Sequence, residues 1–281
     1  MPVTHYLVHV NDVAPEQMAT HEGWSISEFR LPITGACGSS TAAFHSIFRP
    51  GSTHKKHLHT RSDEIAIYLR GHGVVGQSNG RAEVRAGHCR LMPKGSEHFF
   101  YNETNDQDAL VIGFYIGAKD VADSGYRFCG DVTAADLTTP RSGFHEGILV
   151  HLDDVKRERM DAGEGWAITD FRLPIGRHNG SSTTVFRARF GPGAVHKKHR
   201  HDNCEEIYYV ISGRGMAGAG GDRMEVRGGH FHYIPKGVEH WLANVSPSEP
   251  IEVVGIYIGA GSVAETGYVY LGDVTAEDLR R

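Results

Sequence analysis

The chain of 281 residues contains itself twice, and the second copy is displaced by a constant 142 positions. Leu7-Val8-His9-Val10 returns as Leu149-Val150-His151-Leu152, and Phe29-Arg30-Leu31-Pro32-Ile33 returns as Phe171-Arg172-Leu173-Pro174-Ile175. Tyr115-Ile116-Gly117-Ala118 matches Tyr257-Ile258-Gly259-Ala260, and Gly130-Asp131-Val132-Thr133-Ala134 matches Gly272-Asp273-Val274-Thr275-Ala276. Because the offset never drifts, no net insertion separates these landmarks, and duplication followed by fusion is the simplest account. The period is far longer than a solenoid unit, so each copy is expected to close its own core. The expected domains are residues 1–142 and 143–281, with the polar stretch 138–143, which holds Pro140 and Gly143, as linker.

Short segments rich in β-branched and aromatic residues (44–48, 64–69, 111–116, 185–190, 206–211 and 253–258) alternate with Gly, Pro and Asn. That rhythm predicts an all-β sandwich or barrel in each half. Each half closes on Thr-x-x-Asp, at Thr133 to Asp136 and Thr275 to Asp278, the spacing of a capping box on a short helix.

The duplication carries chemistry. His57, His59, Glu64 and His98 return as His199, His201, Glu206 and His240. On a strand, residues two apart share a face, so His57 and His59 form a chelating pair, as do His199 and His201. Four intervening residues leave room for a turn before Glu64 or Glu206 enters the next strand. His98 and His240 follow Pro93-Lys94-Gly95 and Pro235-Lys236-Gly237, where Pro and Gly supply turn geometry. Nothing in core packing asks for three histidines and one glutamate at the same spacing twice. Imidazole and carboxylate donors without thiolate suit one divalent transition metal per domain: iron, manganese or nickel are favoured, and cobalt, copper or zinc are possible. Four protein ligands on a metal that prefers six leave positions for water or substrate.

Other classes fit poorly. A net charge of −5 and the lack of a long basic run argue against nucleic acid or an anionic membrane as partner. The start of the chain does not read as a signal peptide, so a cytoplasmic protein is expected, with a small-molecule substrate and a possible homo-oligomer as partners. The four cysteines fall outside the repeated framework, which makes a disulfide scaffold improbable.

The spacing Gly-(five)-His-x-His-(four)-Glu-(six)-Gly, from Gly51 to Gly71 and from Gly193 to Gly213, is followed by Gly-(five)-Pro-x-Gly-(two)-His-(three)-Asn, from Gly87 to Asn102 and from Gly229 to Asn244. This two-part signature resembles that of the cupin superfamily, and with both halves matching, the chain resembles a bicupin. The resemblance implies two tandem double-stranded β-helix barrels of the jelly-roll type, with a few short helices and a metal inside each barrel.

Alternation from the ligands places further side chains in each cavity. Carried back from His57 and His199 it predicts Lys55 and Lys197 on the inner face, where an ammonium would hold a substrate carboxylate or enolate. Carried onward it predicts Ala66, Tyr68 and Phe100 in the first cavity, and Tyr208, Val210 and Leu242 in the second. The linings differ, so one half is expected to do most of the chemistry. Glu64 or Glu206 is assigned as general base if it leaves the metal. Arg30 and Arg172 read as domain-domain ion pairs, Cys204 as a spectator thiol, and His45, His72, His88, His230 and His232 as structural or surface groups.

Three functions follow. The first is a metal-dependent dioxygenase acting on an enolic, phenolic or flavonoid-like substrate, because the four-residue gap before each Glu resembles that of bacterial quercetin dioxygenases. The second is a manganese-dependent decarboxylase, isomerase or hydrolase of a small acid, by resemblance to oxalate decarboxylases, which are bicupins with two intact sites. The third is a non-catalytic ligand-binding or storage bicupin.

Overall fold

The computed structural model describes residues 4–18, 23–77, 80–140, 147–159 and 166–280, with the side chains of Trp166 and Ala167 left aside. The chain divides into two compact units, one of residues 13–153 and one of residues 1–12 with 154–281.

In the unit 13–153, one sheet runs in the spatial order Glu28–Ile33, Ala42–Phe48, Ala109–Ile116, Asp63–Arg70, His88–Met92, Ile148–His151. The second runs Tyr126–Gly130, Thr53–His59, His98–Tyr101, His72–Gln77, Gly80–Arg85, with Trp24–Ser25 also on Thr53–His59. All of these pairings are antiparallel. The other unit repeats the plan. Its first sheet is Asp170–Ile175, Thr184–Phe190, Ile251–Ile258, Glu205–Ser212, His230–Ile234, Tyr6–His9, and its second is Trp166–Ala167, Val195–His201, His240–Ala243, Arg214–Ala219, Asp222–Arg227, with Tyr268–Gly272 on Val195–His201.

Each barrel closes over an apolar core. The first is built from Phe29, Phe44, Phe48, Val75, Val111 and Tyr115 among others, and the second from Phe171, Phe186, Phe190, Ala217, Val253 and Tyr257. Ile65 and Ile67, which alternate with Glu64 and Ala66, are 0 % and 1 % exposed, so the strand Asp63–Arg70 is covered on both faces. Buried strands of that kind read as continuous apolar runs and not as an alternating pattern.

The boundary expected at residue 142 is corrected by the strand pairing. Tyr6–His9 pairs with His230–Ile234, while its repeat copy Ile148–His151 pairs with His88–Met92. Each short strand covers an edge that would otherwise present unpaired backbone groups. The repeated histidines fasten it: His9 Nε2 donates to the Gly228 carbonyl at 3.1 Å, and His151 Nε2 donates to the Ala86 carbonyl at 3.0 Å. Sequence similarity therefore follows the duplication, whereas contact follows the pairing.

The capping boxes form in both halves. Thr133 and Asp136 bond reciprocally at the start of a one-turn helix Ala134–Thr138, and Thr275 and Asp278 do the same where the chain makes only a turn. Arg30 binds Glu28 and the Val13 carbonyl, and Arg172 binds Asp170 and the Val155 carbonyl, all within their own units. The four cysteines are free. Among the described residues no helix is long and apolar enough to cross a membrane.

Candidate metal centres

Both ligand sets converge. The donor atoms of His57, His59, Glu64 and His98 lie within 4.8 Å of one another, and so do those of His199, His201, Glu206 and His240, with all eight residues buried. The strand Thr53–His59 contributes two imidazoles and the strand beginning at His98 lies beside it, with His98 directly opposite His57. Gly95 and Gly237, at φ of +81° and +74°, take the left-handed conformation that turns the chain into that strand. Glu64 enters from the facing sheet, opposite Met92 and Tyr115. Asn102 and Asn244, the last residues of the signature, are not ligands: their side-chain amides tie neighbouring loops by donating to the carbonyls of Phe48 and Phe190.

The hydrogen-bond pattern is what a cation requires. His57, His98, His199 and His240 each donate Nδ1–H to the backbone carbonyl two residues earlier, at 2.6, 2.9, 2.7 and 2.9 Å. His59 Nδ1 lies 2.7 Å from the Ser124 hydroxyl. A bonded Nδ1–H fixes the tautomer and leaves the Nε2 lone pair free for a metal. Accordingly the Nε2 atoms of His57, His59 and His199 make no hydrogen bond although they are buried, nor does either ring nitrogen of His201, and His59 Nε2 nevertheless lies 2.8 Å from Glu64 Oε2. His98 Nε2, His201 Nε2 and His240 Nε2 lie 3.2 Å from the glutamate oxygen of their own site. Donors each about 2.1 Å from one ion stand roughly 3 to 4 Å apart, which these separations and the 3.9 Å from His57 Nε2 to Glu64 Oε2 match. The residues fit a divalent first-row cation.

The charges agree. Burial lowers His57 to about 3, helped by the neighbouring His98 charge, and it lowers His199 well below its ordinary range, helped by His196. Burial alone would raise Glu64, but the imidazoles of His57, His59 and His98 that face it hold it well below the usual carboxylate range. Neutral imidazoles around an ionised carboxylate are the protonation states that bind metal.

Of the residues placed in the cavities by alternation, Ala66, Tyr68 and Phe100 line the first, which also holds Phe29, Phe44, Phe48 and Tyr115. Tyr208 and Leu242 line the second, with Phe171, Phe186 and Tyr257. Lys55 and Lys197 do not line them. Between His98↔His57 and Phe100↔His54 the ladder advances two residues on one strand and three on the other, and the same slip separates His240↔His199 from Leu242↔His196. This bulge reverses the parity of the pleat. Lys55 therefore leaves the cavity and pairs with Asp131 at 2.6 Å, and Lys197 pairs with Asp273 at 2.8 Å. His54 and His196 take the inward place and stack on His57 and His199 with ring centroids 3.6 and 3.8 Å apart. Their own repeat spacing of 142 was the signal for them.

One more inward residue escaped the sequence reading because the repeat does not conserve it. Arg90, 1 % exposed, lines the first cavity and donates to the carbonyls of Gly76 and Phe99 and to Gln77. Its counterpart, His232, is fully buried and hydrogen-bonded to Tyr208, so it is not a surface group. His88 and His230 are a repeat-matched pair that bond the backbones of Arg85 and Arg227. Cys204 is 1 % exposed, and burial raises its thiol to about 12.

The cavities are small, about 30 Å³ in the first barrel and about 20 Å³ in the second.

Two antiparallel β-barrels, each with a buried three-histidine, one-glutamate centre, define a duplicated β-barrel metalloprotein. A family model described as "Cupin" matches residues 25–125, and one described as "Cupin domain" matches residues 186–257. The chain belongs to the cupin superfamily and is a bicupin. It is 33 % identical over 75 residues to oxalate oxidase GF-2.8 of Triticum aestivum and to oxalate oxidase 2 of Hordeum vulgare, covering 24 % of this chain and 34 % of each relative. The chain thus spans about a third of the length of these curated relatives. Among solved structures, the Lactobacillus farciminis oxalate decarboxylase formate complex superposes with a TM-score of 0.70 at 13 % identity, over 94 % of this chain and 88 % of that one. A Bacillus subtilis oxalate decarboxylase, described with Mn(II) centres, gives 0.70 at 14 %, over 94 % and 79 %. At this identity the superpositions carry the fold alone.

Proposed function

We propose that this bicupin is a divalent-metal enzyme that breaks down a small carboxylate of the oxalate class without net oxidation, with manganese as the metal. The first cavity carries the reading. Three imidazoles and a carboxylate surround about 30 Å³ of space that the buried guanidinium of Arg90 also lines. By this measure a water needs about 10–15 Å³, so the space holds two or three water-sized groups, an ion among them, and only the smallest acids approach that size. Pockets for drug-sized ligands run to about 300–1,000 Å³. A flavonoid would have to force the barrel open, which weighs against the dioxygenase expectation in its flavonoid form.

A buried cation is costly unless answered by an anion or by dipoles. Arg90 adds one positive charge to the first cavity, whereas its counterpart His232 is lowered to about 3, chiefly by burial, and is therefore neutral. That difference favours an anionic substrate in the first barrel. A metal ion held there supplies Lewis acidity toward substrate oxygens. Phe29, Phe44, Phe48 and Phe100 wall the space against water. Glu64 and Glu206 serve as anionic ligands. Carboxylates held below their usual range are weak bases, and the general-base role is set aside for them.

The names of the decarboxylase neighbours support the acid and the metal, and the names of the wheat and barley relatives support oxygen-dependent breakdown of the same acid as the second reading. The test is protein stripped of metal, reloaded with Mn(II) and supplied with two- to four-carbon acids. Carbon dioxide and formate from oxalate without matching oxygen uptake are expected. Stoichiometric oxygen use would shift the conclusion to the second reading, and inertness toward every acid would end both.

A further inference from the structure

The second barrel contains a hydrogen-bonded chain that the first lacks. Tyr208 lines the cavity beside His199, Glu206 and His240. Its hydroxyl donates to His232 Nδ1 at 2.8 Å, His232 Nε2 donates to His5 Nδ1 at 3.3 Å, and His5 Nε2 donates to Asp222 Oδ2 at 3.0 Å. This one assignment of tautomers gives every donor in the chain an acceptor. Exposure rises from one end to the other: His232 is at 0 %, the His5 side chain at 10 %, and the Asp222 side chain at 70 %. In the first barrel the four counterparts are Ala66, Arg90, Gly147 and Gly80, none of which can pass a proton by tautomer exchange.

The strand Tyr6–His9 builds this chain. Leu7 stands opposite His232 and Tyr208 stands opposite it on the other side, while His5 lies two residues from Leu7 and so shares its face.

We propose that Tyr208, His232, His5 and Asp222 form a proton path between the second metal cavity and bulk water. In the resting arrangement the path exports. The Tyr208 hydroxyl passes its proton to His232 Nδ1 and takes one from the cavity, His232 Nε2–H passes to His5 Nδ1, and His5 Nε2–H passes to the Asp222 carboxylate, which releases it to solvent. Each group ends with as many protons as it began, and both imidazoles end in the other tautomer. The reverse sequence then imports one proton and restores the start. A cycle of one proton out and one in is what redox-neutral cleavage of a carboxylic acid needs, where an O–H proton leaves before the C–C bond breaks and a C–H bond forms after it. That match rests on the proposed function, but the path itself does not. The charged or titratable groups acting on His232 are His5 and, further off, His240, Glu206 and His230. Burial keeps its imidazole neutral, as a shuttle between tautomers requires.

Two arms test it. In full-length ¹⁵N-histidine-labelled protein with Zn(II) added, His232 should show the Nε2–H tautomer, and exchange of that proton with solvent should slow in His5→Gln and in Asp222→Asn. Asp222 is exposed, so its variant leaves the fold intact. If the chain only fills space, loss of His5 loosens the site and exchange stays equal or quickens, which would overturn the path. In the second arm the first centre is silenced by His57→Ala, and His5→Gln should then lower kcat by about tenfold or more at unchanged KM, with added imidazole restoring it. Unchanged kcat would remove the path from catalysis. Slowed exchange with no acid turned over by the His57→Ala protein would leave the path standing and confine carboxylate cleavage to the first barrel, and no acid turned over by the unsubstituted protein either would end the carboxylate reading.

Discussion

Removing one imidazole should remove one ion. His57→Ala and His199→Ala are each expected to lower bound metal from two equivalents to one, read by elemental analysis, because the centres share no ligand. The cavities differ at Ala66 against Tyr208, and Arg90 lines the first while its counterpart does not line the second, so the two variants should lose turnover unequally, and equal loss would count against specialised halves. Lys55→Met should leave substrate KM unchanged, since Lys55 pairs with Asp131 outside the cavity. All eight metal ligands were legible from spacing alone, because a duplicated donor set is not something packing produces. Lys55 was misplaced and His54 missed for one reason: alternation is counted along a strand, whereas the extra residue of a bulge is defined only against the strand's partner. Arg90 was passed over, and His232 left among the structural or surface groups, for another, since a search for repetition passes over positions where the copies have diverged.

At the scale of elements, the pairing of Tyr6–His9 with His230–Ile234 makes a selective prediction. Deleting residues 1–10 should expose that edge and cost the second unit about 2–4 kcal/mol, from lost ladder hydrogen bonds. Hydrogen exchange should then quicken in 230–234 and 206–209 but not in 88–92, which keeps Ile148–His151 as its partner. Thr133→Ala should cost about 1 kcal/mol through the lost cap. Asp136→Asn should cost more in a thermal melt, because Asp136 also pairs with Lys56 at 3.1 Å and with Arg81 at 2.5 Å. The strands and the capping boxes followed from local composition. Which barrel each terminal strand would join did not, because Leu7 and Leu149 begin near-identical segments and local propensity cannot choose between two equivalent edges.

For the whole molecule, buried histidines set the response to acid. His57, His196 and His232 are each lowered to about 3, chiefly by burial, from an ordinary value of 6.5. Below pH 6.5 the unfolded chain binds protons that the folded one refuses, so metal-free protein should lose stability steadily from pH 6.5 toward pH 3. The lowered Glu64 acts in the same direction below its ordinary 4.5. Calorimetry at stepped pH checks this, and a flat melting temperature over that range would contradict it. Protons also compete with metal for the imidazoles, so the loaded protein should release its ions over the acid part of the range.

The sequence by itself determined the duplication, the β architecture and both metal centres, because each is written in spacings that hold within one copy. Tertiary structure alone decided the strand exchange, the outward turn of the lysines, the size of the cavities and the line of groups from Tyr208 to Asp222. These depend on register between segments as far apart as His5 and His232, and register across a sheet is fixed by pairing and packing, which no single strand encodes.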